Sequence, residues 1–197
     1  IYPCTNSGYG STDGKTICTE ETEMKPISVY GTTKINAELA VRDCENYVTF
    51  RLATVFGVSG RMRTDLLVNN LTLRAFKEKN VVLYESSFMR NYVHVNDVGY
   101  GFLHVLENFD KVKNNVYNLG NDAINMNKKQ LCEKIGEHTP LHIIESTIGT
   151  DLDKRNYIVS SDKFYSTGFK CYYDLDYGVK ELLKAYRLLD EPWHANY

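Results

Sequence analysis

Short β-branched and aromatic runs take turns along this chain with segments whose apolar residues recur at helical spacing. That alternation constrains the fold more than any other feature. Pro26 precedes a helical stretch predicted over 27–46, with Ile35, Leu39 and Arg42 at a 3.6-residue period. The run 48–56, VTFRLATVF, reads as one strand closed by Gly57. Thr64 or Asp65 is placed to cap the next helix, with Leu67, Leu71 and Phe76 along one stripe. Short strands are expected at 81–84 and 92–95, after which Asn96 and Asp97 start a helix carrying Phe102, Val105 and Leu106. A strand at 116–119 ends at Gly120, and Asn127 caps a helix through Leu131 and Ile135. Strands at 141–144 and 157–159 and an amphipathic helix within 175–189 complete the pattern. Strands separated by helices pair through crossovers, so the class is α/β with parallel pairing.

Composition bounds the function. The 197 residues carry 23 Lys+Arg against 25 Asp+Glu, a net charge of −2 that gives no electrostatic reason to expect nucleic acid as partner. No run approaches the roughly 18 apolar residues of a membrane helix, so no membrane partner is expected. Ile1-Tyr2-Pro3-Cys4-Thr5 lacks both an initiator Met and the basic start of a signal peptide, and reads as the middle of something longer. Five cysteines, odd in number and without a C-x-x-C pair, point to reduced thiols and a cytoplasmic location. His138 and His142 stand four apart, but Pro140 would interrupt a helix between them, so no metal site is expected. Asn70-Leu71-Thr72 matches a glycosylation acceptor inside an apolar-periodic segment and reads as accidental.

A dinucleotide fold normally opens on a strand, a glycine-rich turn and a helix whose N-terminus holds the pyrophosphate. Gly8 and Gly10 form G-x-G here, with no third glycine at the required place. Taken alone, the sequence lacks that cradle.

Tyr30-Gly31-Thr32-Thr33-Lys34 places a Tyr and a Lys four apart, on one helix face. Such a pair serves proton abstraction from an alcohol while a hydride leaves its carbon. A phenol ordinarily ionises near pH 10, so a base working near neutrality needs about 4 kcal/mol in favour of the phenolate. A neighbouring ammonium and a cationic nicotinamide could supply it. Chance alone provides roughly one Y-x-x-x-K in a chain with 15 Tyr. The spacing acquires weight only from its surroundings.

Those surroundings are informative. Thr5-Asn6-Ser7-Gly8-Tyr9-Gly10 is similar to the S/T-x-x-x-Y-G strand end of the extended short-chain dehydrogenase/reductase family, and Tyr30 follows Thr5 at the family's separation. Arg51-Leu52-Ala53-Thr54-Val55-Phe56-Gly57 is similar to its R-x-x-N-V-Y-G strand. Arg90-Asn91-Tyr92-Val93-His94-Val95-Asn96-Asp97 is similar to its R-D-[YFW]-[IV]-[HY]-V-x-D segment. Four motifs in order resemble the NAD-dependent epimerase/dehydratase branch, which acts on nucleotide sugars.

The resemblance implies the later part of a Rossmann-type parallel sheet with an interleaved small α/β substrate-binding lobe. Residues 1–57 would be the C-terminal part of the Rossmann domain, and 58–197 the substrate lobe, with returning Rossmann elements at about 88–120. Thr5 would hydrogen-bond the sugar oxygen, and Tyr30 would be the acid/base. Lys34 would favour the phenolate and bind the nicotinamide ribose, and Ala53 would line the nicotinamide pocket. Arg90, and Arg155 in Asp153-Lys154-Arg155-Asn156-Tyr157, would grip the substrate diphosphate, a role suited to a planar, always-charged guanidinium. Arg61-Met62-Arg63 adds charge nearby in sequence.

Departures from the family pattern sharpen this. Dehydratases usually carry acids directly after the Thr, where this chain has Asn6 and Ser7. Thr54 replaces the usual Asn, which puts its sugar contact in doubt, and Asn91 replaces an Asp. The leading expectation is a nucleotide-sugar epimerase using NAD, with NADP not excluded. A 4,6-dehydratase or reductase is the alternative, and a non-catalytic piece that binds sugar nucleotide is the other. The helix bearing Tyr30 commonly packs in a homodimer within this family.

Overall fold

The computed structural model describes residues 1–151 and 153–189. In chain order it begins with strand β1 (Tyr2–Thr5), a short 3-10 turn at Asn6–Tyr9, β2 (Ile17–Cys18), helix α1 (Val29–Arg42), β3 (Val48–Leu52) and β4 (Thr54–Phe56). Then come α2 (Leu67–Glu78), β5 (Asn80–Leu83), β6 (Met89–His94), α3 (Val95–Glu107) and the short α4 (Phe109–Val112). The remainder is β7 (Asn115–Leu119), β8 (Asn121–Asn127), α5 (Lys128–Gly136), β9 (His142–Glu145), β10 (Ile158–Val159), α6 (Asp162–Tyr165) and α7 (Leu175–Leu188).

Parallel pairing dominates, as alternation requires. β3 lies between β1 and β7, all parallel, with Phe50 opposite Pro3 on one side and Tyr117 on the other. β6 pairs parallel with β4 and antiparallel with β8, a pairing across α3, α4 and β7 that the sequence pattern did not announce. Two further parallel pairs, β5–β9 and β2–β10, tie distant segments together.

The run expected as one strand is two. β3 and β4 belong to different sheets, and the break falls at Ala53, whose N–H donates to Leu119 O at 2.9 Å. The chain then turns out of the first sheet and into the second, so one continuous β-rich sequence supplies both. Gly57 closes β4 with φ +111°, and a side chain there would put its Cβ 2.5 Å from the His94 ring. Only glycine suits both demands.

Helix ends follow local capping chemistry. α1 starts later than expected, because Ser28 accepts a bond from Gly31 N at 3.1 Å and so sets the first turn, and it ends earlier, at Arg42. α5 begins with a full capping box between Asn127 and Gln130. Neither Thr64 nor Asp65 caps α2. Its N-cap is Leu66, and Asp65 is engaged by Arg63 instead. His94 caps α3 by accepting from Asn96 N at 3.2 Å.

Two larger apolar clusters flank the sheets, beside a small one of Tyr9, Cys18, Tyr157 and Val159. One gathers Phe56, Tyr92, Leu131, Ile135, Val179 and Leu182 between β4–β6 and helices α2, α5 and α7. The other packs Phe50, Val105, Leu119 and Phe164 against β3 and β7. Where a stripe was expected on α1, the buried side chains are Ile35 and Glu38, while Leu39 is half exposed. Glu38 is inside because Arg51 on β3 meets it there, with Nη2 2.7 Å from Oε1. On α3, Leu106 likewise faces out and Val105 in.

Candidate functional site

The strand ends of both larger sheets open onto one cleft of about 860 Å³. Parallel strands end together at such a place because their connections all leave from the same side. Thr5, Tyr30, Ala53, Thr54, Arg90 and Arg155 all line it, although they come from five stretches of chain.

Tyr30 sits in the first turn of α1 and is 55% exposed. Lys34, one turn on, does not line the cleft. Its Nζ donates to Pro3 O at 2.9 Å and lies 5.1 Å from the centre of the Tyr2 ring. One of its three N–H groups is therefore committed to β1. Thr5 ends β1 and is nearly buried. Its Oγ1 accepts from Ser7 N at 3.1 Å and donates to Ser7 Oγ at 3.0 Å. The small Ala53 side chain occupies the break between β3 and β4, and Thr54 follows it.

The two arginines expected to act together are joined by a residue that sequence reasoning missed. Arg155 holds the Asp153 carboxylate side-on, Nε to Oδ1 at 2.6 Å and Nη2 to Oδ2 at 2.5 Å. Arg90 Nη2 lies 3.1 Å from the same Oδ1 and also donates to Asp153 O at 3.2 Å. Burial alone would raise the Asp153 pKa, but Arg155 and Arg90 outweigh it and hold it at about 2. Arg90 itself is 1% exposed, with Nη1 on Met89 O. Arg155 Nη1 donates to Ser7 Oγ, so the hydroxyl pair Thr5–Ser7 and the arginine pair form one hydrogen-bonded line.

Of the other groups at the cleft, Arg61 and Arg63 were legible only as charge. Arg63 forks onto Asp65, Met62 between the two basic residues is core, and Lys128 pairs with Asp151. The lining holds Arg61, Arg63, Arg90, Arg155 and Lys128 against Asp65, Asp151 and Asp153, an excess of two positive charges in a chain of net −2. Low-dielectric walls around such an excess concentrate anions. Cys4 also reaches the cleft, but burial and the nearby Glu38 push its thiol up to about 12. It is protonated at neutral pH and is no nucleophile. All five cysteines are free thiols.

Away from the cleft, His138 Nε2 lies 2.7 Å from Asp176 Oδ1 with Glu137 close by, while His142 sits on β9. The two histidines share no helix, since α5 ends at Gly136. No described helix is long and apolar enough to cross a membrane.

Comparison with solved structures places this architecture. UDP-glucose 4-epimerase from Thermotoga maritima, solved with UDP-glucose, superposes with a TM-score of 0.79 at 24% identity, over 95% of this chain and 63% of that one. RMD from Pseudomonas aeruginosa, complexed with NADPH, gives 0.80 at 16% identity, over 95% and 66%. ADP-L-glycero-D-manno-heptose-6-epimerase from Helicobacter pylori gives 0.75 at 21%, over 96% and 60%. The chain thus spans about 60–66% of the length of these proteins, with the same fold over that part. The family model for NAD dependent epimerase/dehydratase proteins matches residues 1–120, which takes in β1, α1, the β3–β4 break and β6. This chain belongs to the NAD dependent epimerase/dehydratase family.

Proposed function

We propose that this chain carries the acid/base and substrate-gripping residues of an NAD-dependent nucleotide-sugar epimerase. The observation that supports it is the convergence of Thr5, Tyr30, Ala53, Thr54, Arg90 and Arg155 on one cationic cleft. In this reading residues 1–57 complete a dinucleotide-binding sheet and the described residues of 58–197 form the substrate lobe, with about 88–120 shared between them; 152 and 190–197 of the expected lobe lie outside the described residues.

The residues present suit the nicotinamide half of the cofactor. Ala53 leaves space where a larger side chain would fill the cleft wall, and Lys34, although it does not line the cleft, would reach ribose hydroxyls with the two N–H donors that its bond to Pro3 O leaves. Bound NAD supplies a hydride acceptor and donor. Tyr30 takes the proton of the ring hydroxyl as the alcohol becomes a ketone, and returns it to the same oxygen on reduction. Thr5 orients that oxygen, its own hydroxyl held by Ser7. The excess positive charge of the lining would hold the diphosphate, and Thr54, also on the cleft wall, would border the sugar. The UDP-glucose bound by the Thermotoga maritima protein is a substrate of this class.

Epimerisation is favoured over dehydration by the residues after Thr5. Asn6 turns its amide to Asn91 Oδ1, 3.3 Å away, and Ser7 is no acid near neutral pH. A homodimer through α1 fits the exposed Val29 and Leu39 on that helix, and reduced thiols fit a cytoplasmic enzyme. The test is turnover of UDP-, dTDP- and GDP-hexoses with NAD present. Tyr30→Phe should lower turnover by roughly 100- to 10,000-fold while leaving the melting temperature unchanged. Unchanged turnover would remove Tyr30 from the chemistry. A protein that retains no NAD(H) but is stabilised by nucleoside diphosphates would be a binding module instead.

A further inference from the structure

The pair of arginines placed to grip an anion already grips one. A guanidinium receives a phosphoryl group or a carboxylate through the same side-on geometry, two parallel N–H bonds to two oxygens. On Arg155 that edge, Nε and Nη2, is filled by the two oxygens of Asp153, and the remaining nitrogen, Nη1, is on Ser7 Oγ. Arg90 adds a second guanidinium to the same carboxylate at 3.1 Å. Asp153 is no distant surface acid: it lines the cleft beside both arginines and Tyr157.

Asp153 lies between β9 and β10, where Asp151, Asp153 and Arg155 meet the cleft through charge. Asp151 pairs with Lys128 at the start of α5, its N–H donates to Glu85 Oε2 at 2.7 Å, and Asp153 N donates to Asp151 Oδ1 at 2.8 Å. Upstream the segment is exposed, with Ile148 86% accessible. A contact made by exchangeable ion pairs, at the end of an exposed segment, can be traded for another anion without unpacking a core.

We propose that Asp153 is an internal substitute for a phosphoryl group of the substrate, seated on Arg155 in the free protein and displaced when a diphosphate binds. This rests on the nucleotide-sugar reading above for its ligand. Asp153 is then a residue that sets affinity: an internal competitor lowers apparent binding of every anion using that seat by the fraction of protein in the latched form. Anions that bind weakly are kept out, and a ligand with further footholds along the cleft still displaces the carboxylate.

The experiment is calorimetric titration of the protein with inorganic pyrophosphate, comparing wild type, Asp153→Asn and Asp153→Glu. Asp153→Asn should bind roughly tenfold more tightly, and Asp153→Glu within about threefold of wild type, because it keeps a competing charge. Equal or weaker binding by Asp153→Asn overturns the proposal and makes Asp153 a strut that positions the arginines. Since Asp153→Asn removes the counter-charge of buried Arg90 and could fail to fold, a second measurement uses wild type alone. The carboxyl carbon of Asp153, followed by NMR against pH, should titrate near 2 without ligand. With saturating pyrophosphate it should move toward the ordinary aspartate value of about 4. The groups facing it are Arg90, Arg155, Tyr92 and Tyr157, with Asp151 two residues upstream and its partner Lys128 on α5. No movement overturns the proposal. A tenfold gain without turnover of any nucleotide sugar keeps the internal competitor and removes the epimerase reading, and turnover without the gain does the reverse.

Discussion

Two arginine–carboxylate pairs in this protein share a geometry and differ in almost everything else. Arg51 forks onto Glu38, with Nη2 to Oε1 at 2.7 Å and Nε to Oε2 at 3.1 Å, and Arg155 forks onto Asp153. The side chains of the first pair are 5% and 1% exposed, those of the second 29% and 37%. Arg51 has its other nitrogen, Nη1, on Tyr9 Oη at 3.2 Å and on Glu20 O at 3.0 Å, so it has nothing left to offer a ligand. Burial works against its charge, but the bonds to Glu38 and Tyr9 win and raise its pKa above the ordinary value. This dry pair pins α1 to β3, and with it the helix turn that presents Tyr30. The wet pair borders the cleft, where an incoming anion can compete for the guanidinium. The difference is burial: the same fork is a rivet in one place and an exchangeable seat in the other.

The strongest way to break that comparison is to remove one partner of the dry pair. Glu38→Ala should cost about 3–5 kcal/mol in urea unfolding, because it leaves the Arg51 guanidinium buried without a counter-charge. Replacing both partners together, Glu38→Leu with Arg51→Met, should recover most of the loss, since the attraction of a buried pair roughly balances the desolvation of its members. A Glu38→Ala cost below about 1 kcal/mol would mean that water reaches Arg51 and that the two pairs do not differ in kind.

Glu38 also shows where the sequence stopped being legible. Periodicity marked α1 correctly as a helix, but it placed Leu39 on the inner face and passed over its charged neighbour. Adjacent helix positions differ by about 100°, and apolarity alone decides between them only when the opposing surface is apolar. Here the opposing surface is Arg51, 13 residues on in sequence and on another element. The run 48–56 failed for a similar reason. Most of its residues suit a strand, and what divides it is the change of partners at Ala53, from β1 and β7 before it to β6 after it, all far along the chain or on other elements. By contrast, the elements around Thr5, Tyr30 and Arg90 were readable because each motif is local and its order along the chain survives folding. Asp153 escaped notice although it stands two residues from Arg155: nothing in its neighbourhood says which acid a guanidinium will hold.

A middle rung of the comparison is read by acid. The Asp153 carboxyl is held at about 2, below the ordinary aspartate value of about 4, so its pairing stabilises the folded state fully above pH 4. That contribution is lost as pH falls from about 4 toward 2, where the folded form must also take up the proton. With over a third of the side chain in water, the effect is on the order of 1 kcal/mol once solvent screening is counted. The stability difference between wild type and Asp153→Asn, measured by urea unfolding, should therefore shrink across that window and stay flat above it. A difference independent of pH would show that the arginines do not hold the ionised form.

The smallest effect belongs at the exposed end of the scale. Lys134 and Glu137 stand three apart at the end of α5, with Nζ 3.0 Å from Oε1 and side chains 45% and 54% exposed. The bond to Glu137 raises the Lys134 pKa, yet both groups are solvated before and after folding, so little is gained by bringing them together. Holding two long side chains in one geometry also costs rotamer freedom. Lys134→Ala should leave the urea midpoint unchanged, and added salt should not separate the variant from wild type. A clear loss of stability would mean that surface charge pairs matter here beyond their usual weight. The contrast between Arg51 and Arg155 would then reflect charge placement rather than burial.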